Sequence, residues 1–216
     1  MKRISIPRVE ALDSLSEPES IIEVLDDRGT LGAIECANWP DESQSRPKAS
    51  FAIAHSGHKL YIDFRVRCNY LLAEHSHDQD PVSQDSCVEV FMQPEKDGEY
   101  WNFEFNCIGF LNASHRLVRP NPTRLNESEL AQVLRFPSCG NRPFKEIEGV
   151  FTWNILVVIP LSLMNFDNPA PGTVIRGNFY KCASGASVPH YLSWNPITTE
   201  KPDFHRPEFF GELVFE

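Results

Sequence analysis

The 216-residue chain has no apolar run approaching the ~18–20 residues that a membrane-spanning helix needs, so a helical membrane protein is set aside. Its six cysteines, Cys36, Cys68, Cys87, Cys107, Cys139 and Cys182, include no C-x-x-C pair, and that spacing argues against a structural zinc site and a thioredoxin-like redox motif. There is no G-x-S-x-G elbow, no P-loop and no dinucleotide fingerprint ahead of a helix, which leaves the common hydrolase, nucleotide and dehydrogenase readings without support. Basic charge is also scarce. Twenty Lys and Arg stand against thirty Asp and Glu, a formal net charge of −10, so a nucleic-acid backbone is repelled on average. Arg65/Arg67, Arg116/Arg119 and Arg124 read as solvated strand edges rather than a nucleic-acid groove. No export signal is visible, because Pro7, Glu10 and Asp13 interrupt any apolar core in the basic N-terminal stretch. The default placement is therefore cytoplasmic, or extracytoplasmic if the N-terminus has been trimmed. Internal repeats and low-complexity linkers are absent, and residues 1–216 are read as one domain with 1–30 as a lead-in segment.

What the chain does have is period-2 alternation with β-branched and aromatic enrichment from about residue 49 onward. Strands are expected over 49–54, 59–67, 86–93, 100–108, 110–118, 151–159, 174–182 and 209–215. Turn residues at 55–58 and 95–98 join neighbours into antiparallel hairpins. The expected fold is all-β, a two-sheet antiparallel immunoglobulin-like sandwich. Long Pro-rich loops and one or two short helices, at 126–134 and 160–164, complete it. In 59–67, Leu60, Ile62, Phe64 and Val66 fall on one face, giving a half-buried strand. Cys68, Cys87, Cys107 and Cys182 lie in or beside strands and read as small core hydrophobes, with one or two disulfides as the alternative.

Two regions carry chemistry. The segments 189–197 and 201–211 mix aromatic faces (Tyr191, Trp194) with an amide (Asn195), an arginine and carboxylates inside a proline-restrained stretch. Sugars need that mixture, since their C–H faces pack on rings while their hydroxyls need aimed donors and acceptors. On the strands, Glu89 faces away from Val88 and Val90, and Asn102, Glu104 and Asn106 share the face opposite Phe103 and Phe105. An Asn/Glu/Asn row reads as a hydrogen-bonding platform, with an ordinary solvated face as the alternative.

These motifs, D-S-C-V-E-V-F at 85–91, N-F-E-F-N at 102–106, I-P at 159–160, L-S-W-N-P at 192–196 and F-G-E-L-V-F at 210–215, resemble family 9 carbohydrate-binding modules over roughly residues 30–216. The resemblance implies a sandwich that holds glucan or xylan oligosaccharides, often with structural calcium and often attached to xylan-degrading glycoside hydrolases. It implies that Trp194 is one of two clamp tryptophans, that Glu89 accepts sugar hydroxyls and that Asn106 is its polar neighbour. The second clamp tryptophan has no counterpart in 80–84, and Glu104 stands where the family commonly has arginine. Either Tyr100, Trp101, Tyr191 or Tyr70 supplies the other wall, or the ligand preference has changed.

The competing readings are a glycoside hydrolase using Glu89 and Glu104 as its carboxylate pair, and a protein-interaction sandwich marked by an exposed apolar patch. Calcium would draw on the loop carboxylates Asp78, Asp80 and Asp85. His75 and His77 alternate as transition-metal ligands would, with exposed loop histidines as the favoured reading; the set His190, Asp203 and His205 matches no established zinc spacing, and Met92 and Met164 read as core residues, so neither haem nor nucleotide is expected.

Overall fold

The computed structural model describes residues 1–43 and 45–216. In chain order its elements are β1 (Arg3–Ile6), α1 (Pro18–Arg28), β2 (Thr30–Ile34), β3 (Lys48–His55), β4 (Lys59–Ala73), β5 (Cys87–Gln93), β6 (Tyr100–Asn106), β7 (Leu111–Arg116), β8 (Thr123–Arg124), α2 (Glu127–Leu130), β9 (Leu134–Pro137), β10 (Phe144–Pro160), β11 (Val174–Ala183), β12 (His190–Ser193) and β13 (Gly211–Phe215). The larger sheet runs β1-β13-β11-β5-β6-β7-β8, with β12 also paired to β11, and the smaller runs β2-β3-β4-β10-β9. Apart from the parallel β1–β13 pair, neighbouring strands are antiparallel. This is the expected β-sandwich, and all eight segments read as strands are strands.

Alternation explains why the sheets meet. Leu60, Ile62, Phe64 and Val66 of β4, Ile155, Val157 and Ile159 of β10, Val88, Val90 and Met92 of β5, and Phe103 and Phe105 of β6 all turn inward into one core. Across that core the rings of Phe51 and Phe179 stack with centroids 3.9 Å apart. The 55–58 turn needs Gly57, whose φ of +106° lies where side-chain-bearing residues rarely go. At the other predicted helix, Asn126 caps α2 in a reciprocal box with Glu129, and the 160–164 turn forms as a short 3₁₀ segment over Leu161–Met164.

Two expectations need correction. The lead-in contains β1 and also an 11-residue helix, α1, with Pro18 in its first turn. Ile21 and Leu25 of α1 pack on Ala52, Ala54, Tyr61, Leu156 and Val158. The outer face of the smaller sheet around Ala52, Tyr61 and Val158 is therefore covered, and β4 is not half-solvated there: Asp63 is only 1% exposed and is bound by Arg65 and Asn154. The apolar stripe of α1 is too narrow, among Glu19, Glu23, Asp26 and Asp27, to stand out as a helical period. No helix among the described residues is long and apolar enough to cross a membrane.

If α1 is a true part of the core, Leu25→Ala leaves a cavity beneath the helix and lowers unfolding stability by ~2–5 kcal/mol. Chemical denaturation should read that loss, whereas a change within ~0.5 kcal/mol would mean that the helix rests on the sheet without supporting it.

Candidate functional site

On β5 the inward turn of Val88, Val90 and Met92 sends Cys87, Glu89 and Phe91 to the outer face of the larger sheet. On β6 the same logic sends out Tyr100, Asn102, Glu104 and Asn106, and on β11 it sends out Asn178, Tyr180 and Cys182. Register then fixes the neighbours: Glu89 sits opposite Glu104 on one side and Tyr180 on the other, Cys87 opposite Cys182, and Glu104 opposite Asn112. One patch of the sheet thus collects two carboxyls and two thiols.

Much of this face is roofed by the Pro-rich segment 195–210. Phe204 lies on Tyr180 with centroids 4.2 Å apart and planes 11° from parallel, and the Tyr180 hydroxyl donates to the Phe204 carbonyl at 3.1 Å. Phe91, Tyr100, Trp39, Ile197 and Phe210 complete a second apolar cluster beneath the roof. The Trp39 indole N–H donates to the Thr199 carbonyl at 2.8 Å, and the Tyr100 hydroxyl pairs with His205 Nδ1 at 3.1 Å.

Where the roof ends, a pocket of about 160 Å³ opens. Its floor is Glu89, Glu104 and Cys182, and its walls are Ser83, Ser184, Tyr191 and residues 202–205, with Arg119 at the rim. The floor is dry. Glu89 is 2% and Glu104 6% exposed, and burial lifts both carboxyls, Glu89 well above the carboxylate range and Glu104 to about 7. Cys182 and Glu104 beside it raise Glu89 further, whereas Arg116 and the amides of Asn102 and Asn112 draw Glu104 back down. Asn102 donates to Glu104 at 3.0 Å and Asn112 at 3.4 Å, and the Cys182 thiol reaches Glu89 Oε1 at 3.1 Å. His205 in the wall is lowered to about 3 by burial, helped by Arg116 and Arg119.

The structure brings together Glu89, Glu104 and Tyr191 of the residues picked from the sequence. It puts Asn102 next to them as a support, since its carbonyl oxygen accepts from Ser114 and Arg116. The others go elsewhere. Trp194 is 4% exposed, packs edge-on against Phe179 and lies over Gly211, where a Cβ would come within 2.4 Å of the indole. It is a core ring, not a platform over the carboxylates. Trp101 points into the core with Phe103 and Phe105 and stacks on His115. Asn106 is consumed by the His75 carbonyl, Asp85 and the Phe110 amide, and Asn195 by the Lys2 amide and the Phe209 carbonyl.

The acidic loop residues are likewise engaged: Asp85 takes the Glu74 and His75 amides, Asp78 takes Arg135 and the Leu111 amide, and Asp80 takes the His77 amide. They do not converge on a point; among the described residues, the group of three whose ligand atoms lie within 4.8 Å of one another is Cys87, Glu89 and Cys182. His190 faces the interior and contacts Lys181, away from Asp203 and His205. Phe204, Ser83, Ser184 and Cys182 are pocket residues that the sequence reading did not single out. Phe204 had a usable signal, an aromatic inside the Pro202–Pro207 loop, but nothing local said that it would lie on Tyr180.

The fold is thus a two-sheet antiparallel sandwich that carries a small polar pocket walled by aromatic rings. Residues 20–215 match the model of carbohydrate-binding family 9, and the chain belongs to that family. It is similar over 100% of its length, and 99% of the other chain, to a structure from Bacteroides uniformis ATCC 8492 to which carbohydrate binding is ascribed, at 35% identity and a TM-score of 0.91. Two structures of a family 9 module from Caldicellulosiruptor kristjanssonii share the fold. The one in complex with glucose has 14% identity, covers 100% of this chain and 96% of the other, and gives a TM-score of 0.59. The one in complex with cellotriose has 12% identity, 100% and 94% coverage and a TM-score of 0.58. A comparison with curated proteins finds no match.

The Glu104 shift makes a prediction with a definite sign. Its folded pKa of about 7 exceeds the ordinary 4.5, so the stability it contributes is present at acid pH and is lost as pH rises from about 4.5 to about 7. His205 and His190, lowered to about 3 and about 2, act in the opposite direction as pH falls below 6.5. Both are shared with a Glu104→Gln variant. The melting-temperature difference between wild type and variant should therefore shift against the wild type as pH climbs through that window and level off above it. A pH-independent difference would contradict the buried-carboxyl assignment.

Proposed function

We propose that this pocket binds one terminal unit of a gluco- or xylo-type oligosaccharide without cleaving it. The observation that carries the reading is the juxtaposition of two buried carboxyls in the floor with the Tyr191 and Phe204 rings in the wall. Carboxyl oxygens accept hydrogen bonds from sugar hydroxyls, and a ring beside them supplies an apolar surface for sugar C–H bonds. At about 160 Å³ the pocket is below the ~300–1,000 Å³ of drug-sized ligand sites, which favours a single ring over a chain interior. Family membership and the glucose and cellotriose complexes of the Caldicellulosiruptor modules support the ligand class.

The geometry favours recognition over cleavage. A retaining glycosidase needs carboxyls flanking the scissile bond, one of them ionised as nucleophile. Here Glu89 and Glu104 rise side by side from one face of adjacent strands, and burial holds both toward the protonated form. Xylan-degrading enzymes are the fitting companions for such a module, as delivery of a sugar chain is what a non-catalytic binder contributes to them.

Calorimetric titration with glucose, cello-oligosaccharides and xylo-oligosaccharides tests the proposal. Tyr191→Ala should weaken the best ligand by about 1 kcal/mol, roughly fivefold, while Glu104→Gln weakens it and leaves the fold intact. Trp194→Phe should lower thermal stability and leave affinity unchanged. Heat signals absent for every sugar, or a Trp194→Phe protein that melts normally but no longer binds, would reject this pocket as the sugar site.

A further inference from the structure

Beside Glu89, one of the two floor carboxyls, lie two thiols that sugar recognition does not use. Cys87 and Cys182 are directly paired across β5 and β11, both on the outer face, and both thiols approach the same Glu89 oxygen, at 4.0 and 3.1 Å. The three ligand atoms lie within 4.8 Å of one another. We propose that Cys87, Cys182 and Glu89 form a binding site for a thiophilic divalent cation of the zinc class, with its fourth position open to the pocket.

Three features support it. The first is size: around a tetrahedral zinc ion with ~2.3 Å bonds to sulfur and ~2.0–2.2 Å to oxygen, sulfur and oxygen ligands stand about 3.5 Å apart, between the two separations found here. The second is the Glu89 carboxyl, 2% exposed, whose hydrogen bonds from the described residues are those of the two thiols to a single oxygen. A buried carboxylate needs either a proton or a cation. The third is Lys181, whose ammonium is fully buried behind the same strand, bonded to the Cys182 carbonyl at 2.7 Å and to His190 Nε2 at 2.9 Å, with no carboxylate partner among the described residues. Two thiolates and a carboxylate around a divalent ion leave one negative charge, which that ammonium offsets across the sheet. Each side of the sheet thus supplies what the other lacks.

Sequence spacing could not reveal this site, because its thiols lie 95 positions apart and meet only through strand pairing. The donor set of two sulfurs and one oxygen favours a borderline-soft ion over calcium or magnesium, which take all-oxygen shells. With three protein ligands the coordination is the open kind, so water or a pocket ligand completes it.

The test is titration of the reduced full chain with cobalt(II) as a spectroscopic substitute for zinc. One equivalent should produce tetrahedral d–d bands and a thiolate-to-cobalt charge-transfer band. Cys182→Ser and Cys87→Ser should each lose the charge-transfer intensity, while Cys36→Ser retains it. In parallel, wild-type protein loaded with zinc and passed through a desalting column should retain one equivalent by elemental analysis and release it to EDTA, so the result does not hinge on the variants folding. Reduced protein that takes up no cobalt, wild-type protein that retains no zinc, or a Cys87–Cys182 disulfide that persists under reducing conditions would overturn the proposal. Sugar titrations run in EDTA remain a separate test, so either reading can fail alone.

Discussion

The stack of Phe204 on Tyr180 is the contact on which the geometry of the site depends. The strands of the larger sheet present a broad outer face, and without a cover Phe91, Tyr100 and Tyr180 would lie open to water. The segment 195–210 removes that apolar area, at a gain of roughly 25 cal/mol per Å² buried, and its prolines reduce the entropy lost in ordering it. Hydrogen bonds from Tyr180 to the Phe204 carbonyl and from Trp39 to the Thr199 carbonyl set where the cover lies. It ends just short of Glu89 and Glu104, and the pocket is the strip of sheet left beside it. Ring walls and carboxyl floor are thus consequences of one packing arrangement.

That arrangement also sets the electrostatics. Glu89 and Glu104 face each other across paired strands in a buried setting, so their charged forms are costly, and the charge of Glu104 adds to the cost at Glu89. A site of this kind gains from any ligand that supplies donors without adding negative charge. Sugar hydroxyls do so by hydrogen bonding, and a divalent cation does so by direct coordination. The amides of Asn102 and Asn112 aim the Glu104 oxygens, while Ser114 and Arg116 hold Asn102 in turn. The Asn/Glu row is therefore a layered support with Glu104 as its working end.

Much of the fold was legible because its signal is local. Alternation located the strands and placed Glu89 and Glu104 on an outward face, since a two-residue period needs only the segment itself. What could not be read locally was what lies over each face. Helix α1 covers one sheet through little more than Ile21 and Leu25, a pattern lost among its charges. Trp194 carries a sugar-binding residue type and a family motif, yet its ring is spent on Phe179 and Gly211. Asn106 and Asn195 are drawn into hydrogen bonds with backbone distant in sequence, the His75 carbonyl and the Lys2 amide. Phe204 and Cys182 entered the site only through tertiary pairing.

The central claim is that ligand enters beneath the edge of the 195–210 segment. Amide hydrogen exchange with and without saturating cello-oligosaccharide addresses it directly. Ligand should add protection at the amides of Ser83, Ser184, Tyr191 and residues 203–205, where the pocket wall lies. Protection appearing instead along β1 and β2, beside the buried Trp194, with the 203–205 amides unchanged, would contradict that entry route.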